Sequence, residues 1–186
     1  MGILICTGVT SLDGYVNDEH GEFGWAAPSD EEHAFVNDLE RSIGTYLYGR
    51  RLYDTMLYWE TPGPEAAESA VMSDYAELWQ AAEKIVYSTT LDAVATEHTR
   101  IERVFDPAVV RDLVSRSDRD VSIGGSHLAA HAFAAGLVDE VRMLLHPVVV
   151  GGGTRLLPEH QRLDLELVQQ HVFENGVVFL RYRVVH

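Results

Sequence analysis

Apolar residues in this chain fall into short runs separated by stretches in which they recur at helical spacing. Ile3–Val9 reads as a buried strand, and Ser11–Pro28 as a loop rich in Gly, Asp and Asn. Ser29-Asp30-Glu31-Glu32 is a helix start, with a small N-cap followed by acids over the positive end of the dipole, and the helix continues to about Ser42. Tyr46–Tyr48 predicts a short strand ending at Gly49, Arg50–Leu57 a short helix, Thr61–Pro64 a break and Glu65–Ala82 a second acidic helix. Lys84–Tyr87 and Thr99–Arg103 predict strands, and Pro107–Ser115 a helix with proline in its first turn. Val121–Ile123 is a strand that runs into Gly124-Gly125, followed by a helix over His127–Ala135 and a strand over Glu140–Val149. Leu165–Phe173 and Val177–Val185 form a β-hairpin about Asn175-Gly176, a strong turn pair.

Strands alternating with helices and closed by a hairpin imply an α/β protein with a mostly parallel sheet and an antiparallel edge. In such sheets ligands sit beyond the C-terminal ends of the strands. Three strand ends carry suitable chemistry: Gly49-Arg50, Ser88-Thr89-Thr90 and Gly124-Gly125-Ser126. The paired glycines allow a sharp turn and close approach of a ligand to the backbone. The free N–H groups of the helix that follows favour a phosphate. Together these ends suit one extended, multiply anionic ligand such as a dinucleotide.

Composition narrows the reading. A chain of 186 residues suits one domain, 1–186, with a full-sized core. It contains no internal repeat, no low-complexity segment and no apolar run approaching a membrane span. The N-terminal MGILICTGVT enters a strand-like run without a basic leader, so a cytoplasmic protein without a secretory signal is expected. Cys6, the only cysteine, cannot form an internal disulfide. A net charge of -15 argues against nucleic acid and anionic membranes as partners. It leaves room for an anionic cofactor, because a few N–H groups and arginines can make a positive pocket locally. Lys84 is the only lysine, which reads as compositional bias.

The order of these pieces resembles the dihydrofolate reductase-like fold. More closely, the chain resembles the reductase domain of bacterial bifunctional riboflavin-biosynthesis deaminase-reductases and their stand-alone relatives. The resemblance rests on Ser11-Leu12-Asp13-Gly14, Gly49-Arg50 with Tyr53, Ser88-Thr89-Thr90-Leu91, Gly124-Gly125-Ser126-His127-Leu128, Gly136-Leu137-Val138-Asp139-Glu140 and Pro147–Gly153, in that order over nearly the whole chain. It implies NADPH as hydride donor, NADH being possible, a pterin-like or pyrimidine-like substrate, and a homodimer. It also implies cofactor contacts from Gly49, Arg50, Ser88, Thr89, Thr90, Gly124, Gly125, Ser126, Leu128 and Gly151. Many family members carry Arg or Lys at the position of Thr89; Arg103 on a neighbouring strand is a candidate replacement for that charge.

Hydride transfer to a C=N or C=O bond also needs a proton from a side chain or an ordered water. Trp25-Ala26-Ala27-Pro28-Ser29-Asp30 resembles the stretch of dihydrofolate reductases in which a loop Trp precedes an acid at a helix start. Asp30 is therefore a candidate proton-handling residue, with Glu31 or Glu32 as substitutes, although acids in a first helical turn are also stabilising on their own. Asp13 is the second candidate, against the reading of Asp-Gly as a plain turn. Trp25, Tyr53 and Trp59 are candidates for lining a pocket for a flat heterocycle, against plain packing. His127 and His131 have i,i+4 spacing but lack the intervening Glu of HExxH and a third ligand, so no metal is expected. Ser126 lacks the glycine of a GxSxG elbow, and a single cysteine excludes the zinc-deaminase signature. Three functions remain: a reductase of a small heterocycle, a riboflavin-pathway reductase proper acting on a phosphoribosylamino-pyrimidine, and a dinucleotide-binding module without catalysis.

Overall fold

The computed structural model describes residues 1–185 and is built around one eight-stranded sheet. The strands that form it are β1 (Leu4–Ser11), β3 (Ile43–Gly49), β4 (Glu83–Tyr87), β5 (Thr99–Glu102), β6 (Asp120–Gly124), β7 (Glu140–His146), β9 (Asp164–Val172) and β10 (Val178–Val185). Their order is β5-β4-β3-β6-β1-β7-β10-β9. The pairs from β5 across to β7 are parallel, and β10 and β9 close the sheet antiparallel. This is the α/β architecture expected from the alternation of strand and helix patterns.

Burial explains why the central strands read as unbroken apolar runs. Alternate residues of each strand serve different cores, because successive side chains point to opposite faces. Leu4 and Cys6 join Leu47, Ile123 and Val141 under α5 (Pro107–Arg116) and α6 (Ser126–Ala134). Ile5 joins Tyr46, Tyr48 and Val86 on the other face, with Tyr53 of α2 (Arg50–Met56) and Trp79 of α4 (Ala70–Ala81). A third cluster packs Phe35, Val36 and Leu39 of α1 (Asp30–Glu40) on Leu144, Phe173 and Phe179. Lys84 is fully buried and acts as a C-terminal cap for α4. Its Nζ donates to the carbonyls of Trp79 (2.8 Å), Ala82 (2.9 Å) and Gln80 (3.3 Å) and lies 4.3 Å from the Trp79 ring centroid.

Three local expectations change, and one holds. The helix expected over 65–82 is two, α3 (Pro64–Glu68) and α4, because Ser69 is extended and its Oγ accepts from Met72 N as the N-cap of α4. The expected loop over 11–28 holds a short strand β2 (Tyr15–Asn17), paired with β8 (Thr154–Arg155), and a 3-10 turn at Gly24–Ala26. The strand expected to reach Val149 stops at His146, before Pro147, which has no N–H to donate. The Asn175-Gly176 hairpin forms, with Gly176 at φ 87° and Asn175 Oδ1 accepting from Val177 N. Among the described residues, no helix is long and apolar enough to cross a membrane.

Candidate functional site

Register brings five strand ends to one rim of the sheet. Ser11 pairs with His146, Tyr48 with Gly124, and Gly49 with Tyr87. Two groups of chemically equipped residues stand along this rim.

The first group is a backbone cradle. Gly125 takes φ 90°, and a Cβ built on it would lie 3.3 Å from Gly49 N and 3.4 Å from Gly49 Cα. The two turns therefore touch backbone to backbone, and α2 and α6 begin side by side. Gly49 and Gly125 are the N-caps of these helices and supply no side-chain cap, so first-turn N–H groups are left for a ligand. A Cβ on Gly124 would meet Leu52 Cδ2 at 2.4 Å, so this glycine lets α2 pack onto β6. Ser126 opens α6; the Leu128 side chain is buried in the core, with its Cβ beside Gly49.

The β4 end is a turn held from both sides. Ser88 is buried, and its Oγ accepts from Thr90 N and Leu91 N. Thr89 and Thr90 are exposed. Arg50 Nη1 donates to Thr90 Oγ1 (2.6 Å), and Arg103 Nη1 donates to the carbonyls of Ser88 (2.8 Å) and Leu91 (2.7 Å). Two guanidiniums thus sit on the turn that lacks a basic residue of its own.

The second group surrounds the first turn of α1. Glu32 is completely buried. Ser29 and Glu32 form a reciprocal capping box, and Asn175 Nδ2 from the hairpin turn donates to Glu32 Oε1. Oε2 of the same carboxylate has no hydrogen-bond partner and lies 3.7 Å from His146 Nε2. His146 is also buried; burial pulls its pKa down, and the neighbouring Glu32 charge acts in the opposite direction. The Trp25 ring stands edge-on to His146, with centroids 6.0 Å apart, and its buried Nε1 is also without a partner.

The sequence candidates separate on this geometry. Asp30 is exposed, and the buried acid of the first turn of this helix is Glu32, which the sequence offered only as a substitute. Asp13 is tied down: Oδ1 and Oδ2 accept from Val150 N (3.2 Å) and Gly151 N (2.8 Å). A hydrogen bond from Ser11 and these backbone donors hold its carboxyl below the usual range, and the same contacts fasten the turn. The Gly151 N–H is spent on the same contact. Tyr53 is buried, and its hydroxyl pairs with Thr96 Oγ1 (3.0 Å) and accepts from Ala95 N, so it fills the core beneath the 91–99 loop. Trp59 is half-buried against Tyr75 and His33, the residue after Glu32. His146 and Asn175 were not candidates. The strand-ending His-Pro and the Asn-Gly turn are visible in the sequence, but their convergence on Glu32 is tertiary. Among the described residues, no cluster of His, Cys, Asp and Glu is placed to hold a metal ion.

Comparison with known proteins gives three findings. The model of the RibD C-terminal domain family matches residues 3–179. An uncharacterized protein, YyaP of Bacillus subtilis (strain 168), is 30% identical over 183 residues, covering 97% of this chain and 93% of its own. Among solved structures, a putative riboflavin biosynthesis protein from Shewanella sp. PV-4 superposes with a TM-score of 0.76 at 20% identity, covering 99% of both chains. Dihydrofolate reductase from Enterococcus faecalis, complexed with NADP(H), superposes with a TM-score of 0.64 at 16% identity over 100% of this chain and 98% of its own. These two likenesses establish the dihydrofolate reductase-like fold.

Proposed function

The chain belongs to the RibD C-terminal domain family, and from that premise we propose that it is an NADPH-dependent reductase of a small pterin-like or pyrimidine-like heterocycle. A substrate resembling 5-amino-6-(5-phosphoribosylamino)uracil is the specific form of this reading. The observation that carries it is the backbone contact between Gly49 and Gly125 at two uncapped helix starts, which a Cβ on Gly125 would crowd. NADPH, when bound, supplies the hydride.

The chain's own residues do the rest. N–H groups of the first turns of α2 and α6, including those of Ser126 and Leu128, would hold the pyrophosphate. Arg50 and Arg103, already drawn onto the Ser88–Leu91 turn, would meet the 2'-phosphate with planar, permanently charged donors. That arrangement supports NADPH over NADH without a basic side chain at Thr89. Glu32, with one oxygen saturated and the other unpartnered, would engage the heterocycle, and Trp25 would lie across it.

The test is NADPH oxidation by the purified protein with 5-amino-6-(5-phosphoribosylamino)uracil and with 7,8-dihydropterin, using NADPH deuterated at C4. Deuterium appearing at carbon in either product supports the reductase. Tight NADPH binding with neither compound reduced supports the alternative, a non-catalytic dinucleotide-binding module. The unpartnered buried carboxylate oxygen favours the enzyme, because a pure cofactor-binding domain gains nothing from it.

A further inference from the structure

Neighbouring residues of a helix point about 100° apart around its axis. With Glu32 turned to β7 and the hairpin, His33 is turned to α4 and to the 3-10 turn Leu57–Trp59 that follows α2. That side of α1 borders the cleft that starts at the cradle. Ile5 and Val9 point from β1 to one face of the sheet, where Ile5 packs with α2 and α4 and Val9 with α1. The two helices α1 and α2 therefore share a face, and His33 bridges from the first to the end of the second.

The partners of His33 decide which of its nitrogens carries the proton. Asn37 is buried, and its Nδ2 donates to the carbonyl of Val71 (2.8 Å) and to Asp74 Oδ2 (2.7 Å). Both of these are acceptors, so the amide cannot be turned over without setting oxygen against oxygen. Its Oδ1 is thereby the atom that meets His33 Nδ1, at 3.1 Å. An amide oxygen only accepts, so Nδ1 is the protonated nitrogen and donates. Asp74 is anchored in turn by Arg41 Nη2 (2.8 Å), whose guanidinium keeps the carboxyl below its usual range and so an acceptor. The rings of Trp59 and Tyr75 stand edge-on to the imidazole, with centroids 5.7 and 5.6 Å away, and restrict its rotation. In the neutral ring Nε2 is then an acceptor of fixed direction. It has no partner among the described residues.

We propose that His33 Nε2 accepts a hydrogen bond from an N–H of the heterocycle, and that Asn37 and Asp74 are positioning residues that hold the ring in this form. This rests on the reductase reading and names a specificity contact within it. Pterins and pyrimidines carry ring N–H and amino donors on their edges, which a neutral acceptor can read. A ring that offers only lone pairs on this edge is rejected, because they would face the lone pair of Nε2.

The experiment has two arms. In the first, nitrogen-15 NMR of the histidine rings, at a pH where they are neutral, reads the tautomer, with His33→Gln identifying the resonances. The expected wild-type ring is protonated on Nδ1 and bare on Nε2, and Asn37→Leu should return it to the Nε2–H form that free histidine prefers. A wild-type ring protonated on Nε2 overturns the proposal, whether or not Asn37→Leu folds. In the second, 7,8-dihydropterin and 5-amino-6-(5-phosphoribosylamino)uracil are titrated onto the protein in the presence of NADP+, which offers no hydride. One of them should move the His33 Nε2 resonance. His33→Leu should bind that compound about tenfold more weakly, the scale of one hydrogen bond, with its affinity for NADP+ unchanged. His33→Gln, which keeps an acceptor at the end of the side chain, should recover most of the loss. An Nε2 resonance that neither compound moves, or wild-type affinity in His33→Leu, overturns the proposal and leaves the reductase reading to the NADPH oxidation assay. A wild-type protein that binds no NADPH overturns that reading, and the substrate contact falls with it.

Discussion

Gly125→Ala isolates the cradle from the rest of the fold. The added methyl would sit 3.3 Å from Gly49 N and 3.4 Å from Gly49 Cα, so one of the two turns must give way by a few tenths of an ångström. Alanine must also adopt φ 90°, at a cost of about 1–3 kcal/mol. In a domain of this size that lowers Tm by about 2–4 °C per kcal/mol, or roughly 2–12 °C in all. Gly136→Ala is the matched control: φ is again positive, at 61°, but nothing lies within 4 Å of its Cβ. It carries a backbone penalty of about 1–2 kcal/mol without crowding anything. Melting curves and NADPH titrations of both variants, below their Tm, separate the two effects. Both should melt earlier, but only Gly125→Ala should bind NADPH more weakly, by about tenfold or more, since 1.4 kcal/mol of lost contact suffices. Wild-type NADPH affinity in Gly125→Ala, or an equal loss in Gly136→Ala, refutes the cradle.

Three further outcomes follow from the same geometry. Arg103→Gln and Arg50→Gln should each reduce the preference for NADPH over NADH by about tenfold, the scale of one charge-assisted hydrogen bond, measured as the ratio of dissociation constants. Lys84→Met should destabilise the fold by about 1–3 kcal/mol, because it strips donors from three carbonyls, two of them hydrogen-bonded within buried surroundings. Burial depresses the Lys84 pKa, so the unfolded chain binds more protons than the folded one between the folded value and the ordinary lysine value. Wild-type stability relative to Lys84→Met should therefore rise through that alkaline window, which denaturant melts at several pH values can read. We propose that the homodimer the resemblance implies forms through the outer strand β9, where Leu167, Val168 and Val172 are exposed; the wild type should then elute as a dimer and Val168→Lys as a monomer in size-exclusion chromatography with light scattering.

What could be read ahead of the structure was local. Strand–Gly-Gly–helix and Asn-Gly are fixed by backbone sterics within a few residues, so the β6–α6 cradle and the terminal hairpin stood out. Ser69 shows the limit of periodicity: the helical pattern runs through it, yet its hydroxyl turns it into a cap. Which acid turns inward is not legible for a different reason. Asp30, Glu31 and Glu32 share one helical turn, and which of them points inward depends on how α1 docks against β7 and the hairpin. The Ser29-x-x-Glu32 capping box was legible and marks Glu32 as the ordered carboxylate of the three. Tyr53 is a pocket candidate only as an aromatic, and its hydroxyl is used up by Thr96 and Ala95 from a loop some forty residues on. His146 depends on β7 lying beside β1, which no local pattern encodes.

The most direct test of the central claim is a thermal-shift titration of the wild-type protein with NADPH and, in parallel, NADH. A ligand that binds only the folded state stabilises it by about 2.7 kcal/mol at a hundred times its Kd, or roughly 5–10 °C here. The account predicts a saturable rise with NADPH at concentrations where NADH gives little. A well-folded protein whose Tm moves with neither nucleotide would contradict it.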